Sequence, residues 1–169
     1  MRKDDREFTL EVFITDGPMT DEFLEKNPEI SRKIELRGDD TLDELHQIIF
    51  KAFNRFDPHM YEYQVGGVGP MDPEARRYVL PLMLEGYSKE DMEADGIAGT
   101  LEHVTLGSLN LKQDDAFGYW FDFGDDWWRQ INVVSIKPEV SPRKKYPRII
   151  SRTGKSPPQY AHWEDEDEE

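Results

Sequence analysis

The stretch FGYWFDFGDDWWRQINVVSI, residues 117–136, decides the fold. Phe117, Tyr119, Phe121 and Phe123 fall on one side of an extended chain, and Trp127 to Ile136 is rich in aromatic and β-branched residues, a composition suited to strands packed on a core. Gly124, Asp125 and Asp126 between the two runs are turn formers, so the stretch predicts a β-hairpin. Each ring buries on the order of 150–250 Å², which makes this ribbon the centre of the expected core.

Toward the N-terminus, Pro70 to Gly99 has weak periodicity and one helix opening at Ser88, with Asp91 as its capping partner and Gly96 near its end. The rest of that stretch, 70–99, reads as a surface insertion. Met60 to Val65 predicts a strand running into Gly66, Gly67 and Gly69. Before it, Thr41 followed by Glu44 forms a capping box, and Leu42, Leu45, Ile48, Ile49, Ala52 and Phe53 recur at helical spacing. Phe8 to Ile14 and Ile30 to Leu36 alternate with a period of two, and Thr20 to Asn27 suits a short helix between them. The resulting strand, strand, helix, strand order resembles a β-grasp start. The expectation is a single α+β domain over residues 1–160, with a mainly antiparallel or mixed sheet packed against one main helix.

Downstream of the hairpin, Arg143, Lys144, Lys145, Arg148, Arg152 and Lys155 lie among Pro142, Pro147, Pro157 and Pro158. The prolines keep this basic arm extended or turned, either solvated or folded back on an acidic body. From Trp163 to Glu169 there are six acids and no base, so residues 161–169 are expected to form a disordered tail.

The whole chain of 169 residues carries 21 Lys and Arg against 36 Asp and Glu, a net charge of −15. Such a field repels phosphate backbones and anionic membranes, which makes nucleic acid a poor partner. There is no cysteine, so thiol nucleophiles, Cys-ligated zinc and iron–sulfur clusters are excluded. No apolar run approaches the roughly 20 residues of a membrane span, and the charged opening does not suit a secretory signal, so a cytoplasmic protein is expected.

Two suggestive motifs fail on context. Gly154-Lys155-Ser156 lacks the glycine five residues earlier that a phosphate loop needs, and the prolines that follow prevent its helix. Asp122-Phe123-Gly124 stands without the glycine-rich and catalytic loops of a kinase. What remains is Asp122, Asp125 and Asp126 at the hairpin tip, with His59 as a more exposed histidine. Three carboxylates within five positions suit a hard cation such as magnesium, calcium or manganese. Asp and Gly are equally what a hairpin turn demands, and the lack of any fixed ligand spacing favours the turn. The other histidines, His46, His103 and His162, form no helical ligand pair, and His46 reads as a satisfied residue at the core edge.

Several separated motifs, in order, resemble the plasmid pRiA4b ORF-three-like family. They are Ile34 to His46 with Ala52-Phe53, His59 to Tyr63, Tyr119 to Trp127, Tyr146-Pro147-Arg148 and Pro157-Pro158. The resemblance spans about residues 8 to 160, apart from 70–99, and implies an association with plasmids and transposable elements. Where the family has a histidine two residues after the tryptophan matching Trp127, this chain has Arg129. Ile149 stands at a family cysteine, and Gln159 and Tyr160 replace an acidic pair. A metal or acid–base centre built on those groups is therefore missing here or built differently.

Three functions compete. A non-enzymatic module would bind a protein or peptide through Tyr119, Trp120, Trp127 and Trp128, because aromatic enrichment marks binding hot spots as well as cores. A metal-assisted enzyme would use Asp122, Asp125 and Asp126 as ligands with His59 as ligand or acid–base group. A nucleic-acid accessory would use the Arg143 to Lys155 arm, against the charge balance. The binding module is favoured. No catalytic residue is assigned and no cofactor is required, a divalent cation being the one the Asp cluster would take.

Overall fold

The computed structural model describes residues 4–160, so the acidic stretch 161–169 and His162 lie outside the described residues. Phe8, Leu10 and Val12 put one face of strand β1 (Glu7–Asp16) into the core. Helix α1 (Asp21–Lys26) follows, with Thr20 accepting the Phe23 amide as its N-cap. Then come β2 (Ser31–Arg37), α2 (Leu42–Ala52) and β3 (Tyr61–Val65). Next are β4 (Arg76–Val79), α3 (Lys89–Ala94) and β5 (Ile97–Thr100), and the chain closes with β6 (Ala116–Phe121), β7 (Trp127–Lys137) and β8 (Arg148–Thr153).

Among the described residues the eight strands form one mixed sheet in the order β5-β4-β3-β6-β7-β1-β2-β8. Only β4 and β5 run parallel; every other neighbouring pair is antiparallel. The fold is α+β. The β1-β2-α2-β3 order stands in sequence, while in the sheet the β6–β7 hairpin separates β1 from β3. The stretch expected as an insertion adds strands β4 and β5 to one edge. Its helix α3 opens with the Ser88–Asp91 capping box. Four-residue strands are too short to show an alternation, which is why the sequence reads as a surface excursion there.

Helix α2 carries the complete capping box: Thr41 accepts the Glu44 amide and the Glu44 carboxylate accepts the Thr41 amide. Its Leu42, Leu45, Ile48, Ile49 and Ala52 are buried, each large side chain contributing about 1.5–3 kcal/mol. Against it lie Tyr61, Tyr63, Phe117, Tyr119, Phe121 and Trp127 from the inner face of the sheet. Gly17 is required where the chain leaves β1, because a Cβ there would lie 2.2 Å from the Trp127 ring. Arg32, Arg55 and Arg129 are buried against Phe53 and Trp127. Among the described residues, no helix is long and apolar enough to cross a membrane.

The basic arm folds back on the acidic body. β8 pairs with β2, and Lys144 reaches both Glu7 (3.4 Å) and Glu35 (3.2 Å). Its prolines and scattered bases hide the strand from a periodicity reading.

Candidate functional site

The period of two in a strand divides the four hairpin aromatics between opposite faces. Tyr119 and Trp127 point inward and are 1% and 0% exposed, so they belong to the core and are closed to a surface ligand. Trp120 and Trp128 occupy one cross-strand pair on the outer face, half-buried, with ring centroids 4.8 Å apart and planes 6° from parallel. Phe123 lies against Trp120, with ring centroids 4.1 Å apart and planes tilted by 36°. Only this outer pair of the four predicted binding residues faces solvent.

Beside it, a groove of about 550 Å³ runs across the outer face, within the usual range for a binding site. Its floor is the cross-strand row Gln64, Gly118, Gln130, with Trp128 at one side. The loop from Gly67 to Met71 forms the rim and holds Val68 and Met71 out into solvent, 99% and 60% exposed. Gln64 fixes this rim: its Oε1 accepts the Met71 amide (2.9 Å), while its Nε2 donates to Glu62 (3.0 Å). Glu62 is in turn paired with Arg77 at 2.7 Å. Gly118 leaves the floor open. A Cβ there would make only ordinary contact, 3.8 Å from Gln64, so nothing in the packing demands glycine.

The hairpin tip is built as a turn. Asp122 and Asp126 adopt positive φ (61° and 58°), and Asp122 Oδ1 accepts the amides of Gly124 and Asp125 at 3.2 Å. Asp126 Oδ1 accepts the Trp120 indole N–H at 2.9 Å, which steadies the outer stack. Asp125 is exposed.

Of the four predicted metal candidates, only Asp122 and His59 come together, with His59 Nε2 3.4 Å from Asp122 Oδ2. Two residues that the sequence did not connect with His59 complete that cluster. Asp57 lies 3.6 Å from His59 Nε2, and the Tyr160 hydroxyl sits 2.8 Å from it while donating to Asp57. That bond pushes the Tyr160 hydroxyl pKa up, since ionisation would place two negative charges side by side. Among the described residues, no three of His, Asp and Glu are gathered in a way that could hold a metal ion.

His46 is half-buried on the helix, stacked on Tyr61 with ring centroids 3.6 Å apart, its Nδ1 2.7 Å from the Tyr119 hydroxyl. Desolvation lowers its pKa to about 4, against the pull of Asp43 and with help from Arg129. It is neutral near pH 7. His103 is exposed.

The groove residues Gln64, Gly118 and Gln130 went unread. Two signals in the sequence pointed there: a glycine inside an otherwise aromatic strand, which often marks a close approach by a ligand, and the glycine cluster after β3.

The sequence profile of the plasmid pRiA4b ORF-3-like protein matches residues 22–161. The uncharacterized protein y4hQ of Sinorhizobium fredii (strain NBRC 101917 / NGR234) is 24% identical over 132 residues, covering 78% of this chain. The chain spans 59% of that relative's length. A crystal structure of a protein of unknown function, MM3350 from Methanosarcina mazei Go1, superposes with a TM-score of 0.63 at 20% identity. That match covers 88% of this chain and 70% of the other, a likeness of fold alone.

Proposed function

The chain belongs to the plasmid pRiA4b ORF-3-like family, and from that premise we propose that it is a non-enzymatic binding module whose ligand surface is the outer groove. The observation that carries the reading is the stacked Trp120–Trp128 pair beside an open floor at Gly118. Large rigid rings beside a concavity supply contact area with little loss of conformational entropy. The amides of Gln64 and Gln130 line the floor, and Val68 and Met71 add adaptable apolar contacts at the rim. That combination suits a peptide segment with one apolar side chain seated over Gly118. The net charge of −15 favours a positively charged partner through long-range steering.

Selection from a random linear peptide library tests this. Wild type should enrich a shared motif with an apolar position flanked by Lys or Arg. Gly118→Leu, which fills the floor, and Trp128→Ala should both lose that enrichment while remaining folded. No enrichment over background, or the same motif recovered by both variants, would remove the proposal.

A further inference from the structure

On the inner face of the sheet, away from the outer groove, three guanidinium groups from β2, the segment after α2 and β7 converge on two rings. Arg129 Cζ lies 4.6 Å from the Phe53 ring centre and 5.9 Å from that of Trp127. Arg55 Cζ is 4.5 Å from Trp127, and Arg32 Cζ is 5.0 Å from Phe53. The three residues are 2%, 7% and 2% exposed, in the order Arg129, Arg55, Arg32.

Their hydrogen bonds divide them. Arg32 is held by the carbonyls of Ala52, Ser31, Thr153 and Gly154. Arg55 Nη1 donates to the carbonyls of Phe53 and Pro157, but its Nε and Nη2 have no partner. Arg129 has none at Nε, Nη1 or Nη2, and the Tyr63 hydroxyl and Trp127 Nε1 are also unpartnered. Among the described residues no carboxylate forms an ion pair with any of the three arginines.

Ring faces stabilise a cation lying over them, yet they leave the in-plane N–H groups of the guanidinium unsatisfied. Desolvation lowers the pKa of Arg129 to about 10 and of Arg55 to about 9, so both keep their charge near pH 7. The core therefore holds a concentration of positive charge whose unmet groups all donate. A buried charge without a partner is strongly unfavourable, and acceptors are the missing complement.

We propose that Arg129 and Arg55 form an internal binding site for a small oxyanion, with Tyr63 and Trp127 donating to its remaining oxygens. A planar guanidinium fork matches two oxygens of one anion, and a carboxylate, phosphate or sulfate supplies the acceptors this group lacks. The site goes beyond the groove reading and stands without it.

The test begins with extensively dialysed wild type, titrated with inorganic phosphate, sulfate and acetate at fixed ionic strength and followed by urea midpoint and, for phosphate, ³¹P NMR. Ion chromatography of the denatured protein reports any anion carried through purification. The proposal expects saturable stabilisation by at least one anion, or one anion recovered at a stoichiometry near unity. Arg129→Gln should weaken it roughly tenfold or more, the loss of charge-assisted hydrogen bonds. Tyr63→Phe, which removes a hydroxyl and keeps the ring, should weaken it less and serves if Arg129→Gln does not fold. A linear, unsaturable rise shared by wild type and variants is the general stabilisation by ions excluded from the protein surface and would overturn the site, as would no response together with no recovered anion.

Discussion

Trp120 and Trp128 stack across the β6–β7 pair at 4.8 Å, one residue away in each strand from Tyr119 and Trp127, which lie on the opposite face. The same hairpin thus supplies the core with one set of rings and solvent with the other.

That division predicts unequal stabilities. Trp127→Ala should remove about 3–5 kcal/mol, the range for truncating a buried large aromatic. Trp128→Ala should remove only about 1 kcal/mol, the size of an aromatic pair interaction. Gly17→Ala should resemble Trp127→Ala, because its new methyl group meets the Trp127 ring. Urea denaturation of the three variants checks this, and equal losses at Trp127 and Trp128 would contradict it.

Glu7 predicts a pH-dependent clamp on the basic arm. It is 2% exposed, accepts the Tyr146 hydroxyl and lies 3.4 Å from Lys144. Burial pushes its carboxyl up, but Tyr146, Glu35 and Lys144 together outweigh that and hold it below the usual glutamate value. A depressed carboxylate pKa contributes stability that is present above the unfolded pKa, near 4.5, and is lost as pH falls through the folded value. Glu7→Gln should therefore destabilise by about 1–3 kcal/mol at pH 7, with the deficit shrinking below pH 4.5. A deficit that does not vary with pH would refute the clamp.

His46 predicts a dependence set by its own titration. Its folded pKa of about 4 lies below the unfolded 6.5, so the unfolded chain takes up the proton first as pH falls. The neutral ring's contribution is complete above pH 6.5 and is lost progressively toward pH 4, by about 2 kcal/mol after allowance for solvent screening. Imidazole NMR resonances should show His46 titrating well below an ordinary histidine, and His46→Gln should flatten the stability curve between pH 6.5 and 4. A His46 midpoint above 6 would contradict the burial argument.

The elements legible in the sequence were those whose signal is local. Thr41 and Glu44 define the start of α2 three residues apart, and the alternation of Phe8 to Ile14 and Phe117 to Phe121 marks strands without reference to any partner. β4, β5 and β8 were not legible, because β4 and β5 are only four residues long, β4 and β8 open on an arginine, and such short segments gain strand structure only from the neighbours they join. The same limit applies to the site. An aromatic hairpin is visible in one dimension, but which two rings face water depends on which side of the sheet α2 covers. The meeting of His59 with Tyr160, and of Arg129 with Arg55, joins residues from 74 to 101 positions apart, and no spacing rule anticipates such pairs.

The most direct measurement of the groove account is amide and indole chemical-shift mapping with a peptide recovered from the library selection. The account predicts that the Trp128 and Trp120 indole signals, together with the Gly118 and Gln130 amides, shift in a saturable way while the Trp127 indole stays in place. Shifts that gather at another face of the sheet, leaving Gly118 and Trp128 unmoved, would contradict it.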